Sequence, residues 1–212
     1  MADYVTLAEP YAQPRQQREA DFLGMYVFLG TETMLFGALL ALVYAYRVAH
    51  PEASQVAARH LKIWIATANT AVLLTSSLAV AIAVVAARHG KRRMVGVAFM
   101  IAVLLGLTFL GLKGWEYLQD FQEGLAPGIG APSPLRHGPA ALFLDLYFVA
   151  TTLHAIHLTI GLGALSWVAA MVLRGKVDVP RQAVVVEMTG LYWHFVDIVW
   201  LFVFPIFYLA RG

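Results

Sequence analysis

The chain has 212 residues, of which 60% are hydrophobic and 13% charged, and its mean hydropathy is +0.69. A soluble domain carries about 25% charged residues, so the composition excludes an ordinary soluble protein and implies an integral membrane one. The net charge of +2 is too small to suggest a nucleic-acid partner. The absence of cysteine excludes disulfides, thiolate metal sites, iron–sulfur clusters and cysteine nucleophiles.

Residues 1–21 read as a polar, cytoplasmic N-terminal segment. They carry Glu9, Arg15, Arg18 and Glu19 and have no apolar signal-peptide core, so the first spanning segment is expected to act as the membrane signal. Residues 22–212 read as an all-α, polytopic helix bundle. Five apolar segments, at 22–47, 62–88, 93–119, 139–174 and 183–210, reach the roughly 20 residues that a membrane crossing needs. The fourth is long enough to tilt or to project beyond the bilayer. The connections hold the charges and turn residues, among them the basic turn Arg88-His89-Gly90-Lys91-Arg92-Arg93 and a loop with Pro127, Gly128, Gly130, Pro132 and Pro134.

Lysines and arginines set the orientation. Nine fall on the side of the N-terminus, the 88–93 turn and the 174–182 connection. Six fall on the other, with Lys113 counted in the third connection. The expected arrangement is an N-terminus in the cytoplasm and a C-terminus outside. The basic turn also suits anionic headgroups, although topology control accounts for it.

Ionisable side chains inside spans are costly and mark sites of interest. Glu32 lies mid-span in Leu29-Gly30-Thr31-Glu32-Thr33. It is either a proton relay or partner contact, or a protonated carboxyl bonded to a neighbouring helix. Asn69, Thr70, Thr75, Ser76 and Ser77 read as a packing face of small polar residues. Lys113 and Glu116, three apart, read as an ion pair at the helix end, at the membrane surface. His154 and His157 are also three apart, with Gly161 continuing their face. They have the spacing to share a metal, but the Glu-x-x-His motif of di-iron bundles is missing. In the run Tyr192-Trp193-His194-Phe195-Val196-Asp197-Ile198-Val199-Trp200, His194 and Asp197 share one helix face. They can pair with each other or reach Glu32 or His154. Trp193 and Trp200 lie nearer the span centre than an interfacial belt and suit a helix groove or a lipid contact.

Taken together these residues resemble subunit III of the haem-copper terminal oxidases, the cytochrome c oxidase family. The likeness covers all five spans. Its strongest element is the final pattern Trp193, His194, Phe195, Val196, Asp197, Val199, Trp200 and Phe202. Phe148, Val149, Ala150, Thr151, His154, His157 and Gly161 match a second pattern; Asn69, Thr70, Leu73, Leu74, Ser76 and Ser77 match a third. Glu32 after Thr31 and the pair Glu116-Tyr117 complete it. Two departures stand out. The mitochondrial form has two further N-terminal helices, which help to shape its lipid cleft, and Lys113 stands where the family often has an uncharged polar residue.

The resemblance implies a five-helix, non-catalytic subunit of a bacterial respiratory oxidase in the inner membrane. That complex reduces dioxygen to water and pumps protons. Haem and copper would then sit in partner subunits, with none bound here. His50, His60, His89 and His137 fall in connections, which leaves His154, His157 and His194, too few for a haem-copper core. Expected partners are catalytic subunit I, subunit II, a small subunit IV, structural phospholipids and a respiratory supercomplex. Glu32, His154, His157, His194 and Asp197 would form a buried polar set that fixes the helices around a lipid groove. A quinol oxidase or a nitric oxide reductase is the rival within the family. A small haem-binding cytochrome using these histidines is the rival outside it. A transporter is disfavoured, since neither an inverted repeat nor a pair of broken helices is evident.

Overall fold

The computed structural model describes residues 13–127 and 133–209. Residues 1–12, residues 128–132 of the 120–138 loop and the last three residues lie outside them. Among the described residues six α-helices follow in chain order: α1 Pro14–Ala49, α2 Pro51–His60, α3 Ile63–Arg88, α4 Arg92–Gln122, α5 Pro139–Leu173 and α6 Ala183–Tyr208. Five are long and apolar enough to cross a membrane; α2 is not among them. At 1.5 Å per residue, the 26 residues of α3 or α6 exceed the roughly 30 Å hydrocarbon core. The 36 of α1 and 35 of α5 project well past it.

Local chemistry sets the ends. Proline occupies the first turn of α1, α2 and α5, where its missing N–H costs nothing. The α3–α4 hairpin closes on Gly90 at φ 69, a left-handed position that suits glycine. Gly90 N–H donates to Ala87 O at 3.0 Å, and Lys91 N–H to Ala86 O at 2.9 Å. The Arg92 guanidinium donates to the carbonyls of Val172 and Leu173, tying the start of α4 to the last turn of α5, where a cation also suits the helix dipole. Arg47 donates to Ile206 O at 3.0 Å, near the end of α6.

Helices α3, α4, α5 and α6 pack into a four-helix core. α1 lies outside it against α5 and α6, and α2 lies against α5. Only 11% of the spanning window of α1 is buried, against 50% for α6. Trp193 is the centre of the bundle. A Cβ built on Gly106 would meet its ring at 2.8 Å, and one on Gly161 at 3.0 Å, so both neighbouring helices must present glycine there. The interfacial tryptophans are others: Trp64, Trp115 and Trp167 are exposed near helix ends, as a membrane belt requires. The helix α2 occupies the connection expected at 48–61. Pro51 and Glu52 in its first turn are its sequence signal, and it is too short to register as a span.

Candidate functional site

Polar side chains gather in three layers along the bundle. At the end where α1 begins, Glu187 of α6 is buried and receives two arginines. Arg18 of α1 donates at 3.0 Å and Arg88 of α3 at 2.7 Å. This ties three helices to one carboxylate, and both guanidiniums remain largely exposed.

The middle layer holds the residues singled out from sequence, and it separates them. Glu32 of α1 meets His157 of α5, Oε2 to Nε2, at 2.9 Å. His157 Nδ1 lies 2.8 Å from the carbonyl of Leu153, an acceptor only, so Nδ1 must carry the hydrogen. Nε2 then either accepts from a protonated Glu32 or donates to its carboxylate. Both forms hold the same number of protons, so the pair is neutral overall either way. Phe36 packs edge-on to the imidazole at 5.0 Å. Tyr192 O–H donates to the His157 carbonyl at 3.1 Å.

His194 pairs elsewhere, with Ser77 Oγ of α3 at 2.6 Å. Trp193 N–H donates to Ser76 Oγ at 3.1 Å, and Trp200 N–H to Thr70 Oγ1 at 3.0 Å. The polar face of α3 therefore receives the indoles of α6. The His154 ring is buried against Phe109 and Trp200. Neither of its nitrogens, neither carboxylate oxygen of Asp197 and neither amide atom of Asn69 has a hydrogen-bond partner among the described residues. The expected single set of Glu32, His154, His157, His194 and Asp197 is thus an α1–α5 pair, an α3–α6 pair and two residues bonded to neither. The reason is angular: His157 faces α1 while His154, almost a turn away, faces the core.

The third layer corrects the sequence reading. Lys113 and Glu116 do pair, at 2.9 Å, but not at the surface: Lys113 is 3% exposed and Glu116 0%. Lys113 is therefore not a loop charge for orientation counting. Its three ammonium hydrogens have three acceptors: Glu116 Oε2, Tyr147 Oη at 2.8 Å and Tyr208 Oη at 2.6 Å. Tyr208 O–H passes the interaction on to Glu116 Oε1 at 2.8 Å. Tyr147 O–H lies 3.2 Å from the same oxygen and 3.5 Å from Asp120 Oδ2. The ammonium also sits over the rings of Tyr117, Tyr147, Trp200 and Tyr208 at 4.7–5.6 Å, a favourable cation–π arrangement. Sequence reasoning misses Asp120, Tyr147 and Tyr208. Lys113, Glu116 and Asp120 recur at three and four residues, one helix face, which is the signal that could have found the aspartate.

Among the described residues, no group of three or more histidines and carboxylates converges as a metal site. The arrangement cross-links α1, α3, α4, α5 and α6 through buried polar contacts.

These features define a membrane protein built around an internally bonded helix bundle, and comparison with known proteins places it. The family model described as cytochrome c oxidase subunit III matches residues 17–211, so the chain belongs to that family, as subunit III of a haem-copper oxidase. A "Cytochrome c oxidase subunit 3" of Alkalihalophilus pseudofirmus is 30% identical over 193 residues, covering 89% of this chain and 85% of the relative. A "Probable quinol oxidase subunit 3" of Staphylococcus haemolyticus is 27% identical over 193 residues, 88% of this chain and 87% of the relative. Its counterpart in Staphylococcus aureus is 28% identical over 197 residues, covering 90% and 89%. The family implies association with other oxidase subunits in a multi-pass membrane complex.

Proposed function

We propose that this chain is the non-catalytic subunit III of a bacterial cytochrome c oxidase in the cytoplasmic membrane, held against catalytic subunit I and subunit II. The observation that carries the choice of donor is the likeness to the relative named as a cytochrome c oxidase subunit, at 30% identity. The second reading, a quinol oxidase, rests on the staphylococcal relatives at 27% and 28%. Haem and copper sit in the partner subunits, and this chain supplies scaffold. Electron donor separates the two readings: the purified complex should oxidise reduced cytochrome c rapidly and a soluble quinol slowly. The reverse preference would establish the quinol reading.

Structural phospholipid belongs to the same proposal. A groove of about 390 Å³ is lined by Phe22, Tyr26, Val84, Val85 and Leu191 and ends at Arg88 and Glu187. Its apolar walls suit an acyl chain. Arg18 and Arg88 use few of their five donors on Glu187, leaving others to face a phosphate. Phosphorus retained by the purified complex should fall when both arginines become glutamine. Unchanged phosphorus would remove this groove from the account.

A further inference from the structure

The buried cage at Lys113 has more carboxyl groups than it has donors for them. The groups that face Asp120 are Lys113, Glu116 and Tyr117 of α4, Tyr147 of α5, Tyr208 of α6, and Lys62 and Glu123 at the membrane edge. Lys113 spends one hydrogen on Glu116 and two on the tyrosines. Each tyrosine then has a single hydrogen to give. Tyr208 gives it to Glu116 at 2.8 Å, and the shorter carboxylate contact of Tyr147 is also to Glu116, at 3.2 Å against 3.5 Å to Asp120. Glu116 is therefore fully supplied as a carboxylate. Asp120 is 0% exposed, and its Oδ1 has no hydrogen-bond partner among the described residues. The cation beside it, Lys62, stands 3.8 Å away and bonds to Glu123 at 2.9 Å instead.

We infer that Asp120 is a proton-binding site, occupied in this arrangement as a carboxylic acid, and that Lys62 reports its occupancy by exchanging partners between Glu123 and Asp120. With the proton in place the hydrogen-bond directions close: Asp120 O–H points to Tyr147 Oη, and Tyr147 O–H points to Glu116 Oε1. Without it, a second buried negative charge would stand beside Glu116 with Lys113 already committed, and an unpaired buried charge is strongly destabilising. The countercharge within reach is Lys62. Its side chain is 24% exposed and that of Glu123 48%, so water reaches the pair from which Asp120 would draw or release its proton. Lys62 is also the residue before α3, following Leu61 at the end of α2. Partner exchange therefore acts on the α2–α3 junction, which is tied to both the cage and the surface.

Infrared difference spectroscopy on the purified oxidase, at one neutral pH and normalised to haem, tests this whichever electron donor the complex uses. The wild type should show a carboxylic-acid C=O band that is missing from Asp120→Asn. Glu123→Gln frees Lys62 for Asp120 and should weaken that band roughly twofold or more, because an ammonium nearby favours the carboxylate. Lys62→Met should leave it at full strength. If Asp120→Asn does not assemble, the contrast between a weakened band in Glu123→Gln and an unchanged one in Lys62→Met decides alone. A lost carboxylate band in place of an acid band in Asp120→Asn overturns the inference. So does an acid band that Glu123→Gln leaves unchanged.

Discussion

Replacing Lys113 with methionine removes the cation of the buried cage while keeping an unbranched side chain in its space. Three hydrogen bonds, at 2.9, 2.8 and 2.6 Å, disappear together. Glu116, 0% exposed, is left as a buried carboxylate supported only by tyrosine hydroxyls. Breaking a buried pair by removing one partner costs about 3–5 kcal/mol. The double variant Lys113→Met/Glu116→Gln removes the uncompensated charge, and replacing a whole buried pair is often close to neutral. The two tyrosines can then bond to each other, as their 3.1 Å separation already allows. The double variant should therefore recover most of the loss, giving a coupling of about 2–3 kcal/mol between the two sites. Denaturation of the subunit in mixed micelles, run as a double-mutant cycle, measures this. A single-variant cost under about 1 kcal/mol, the value of an exposed pair, would refute the buried-cage reasoning. So would costs that simply add.

Other consequences follow from the same contacts. Gly161→Ala places a Cβ 3.0 Å from the Trp193 ring and should cost about 1–3 kcal/mol as overpacking, whereas Gly163→Ala, with nothing within 4 Å, should cost almost nothing; the same unfolding assay compares them. His157→Leu strands Glu32 and should lower stability by about 1–3 kcal/mol, while Glu32→Gln keeps a donor facing Nε2 and should cost less; equal losses would contradict the pairing. Arg18→Gln or Arg88→Gln alone leaves Glu187 one partner and should be tolerated. The pair together leaves Glu187 a buried carboxylate without a cation and should loosen the adjoining ends of α1 and α3 from α6, seen as faster proteolysis near Arg18 in the purified complex.

The number of spans and the helical class are legible in the sequence because an apolar run of about twenty residues suits a membrane span and little else, and the 88–93 turn separates α3 from α4 without ambiguity. What sequence does not supply is azimuth. His154 and His157 share a face in outline, yet one turns to Phe109 and Trp200 and the other to Glu32, because α1 packs on the outer side of α5 and α6. Lys113 reads as a snorkelling surface residue because it lies within three turns of the end of α4. The tyrosines that bury it come from α5 and α6, thirty-four and ninety-five residues away, and no local pattern announces them. Trp193 shows the converse: the glycines it requires, Gly106 and Gly161, are visible in the sequence but not their common partner. Glu187 carries no local signal either, because its two arginines sit at other helices' ends.

The central claim is that this chain is an accessory scaffold of a haem-copper oxidase. The most direct measurement is a mild-detergent purification through this chain, with optical spectra of the complex and of the subunit after it is stripped away. The account predicts that haem and copper co-purify with larger partner subunits and that the stripped chain is colourless. A haem band retained by the stripped chain itself would make its histidines ligands and contradict the account.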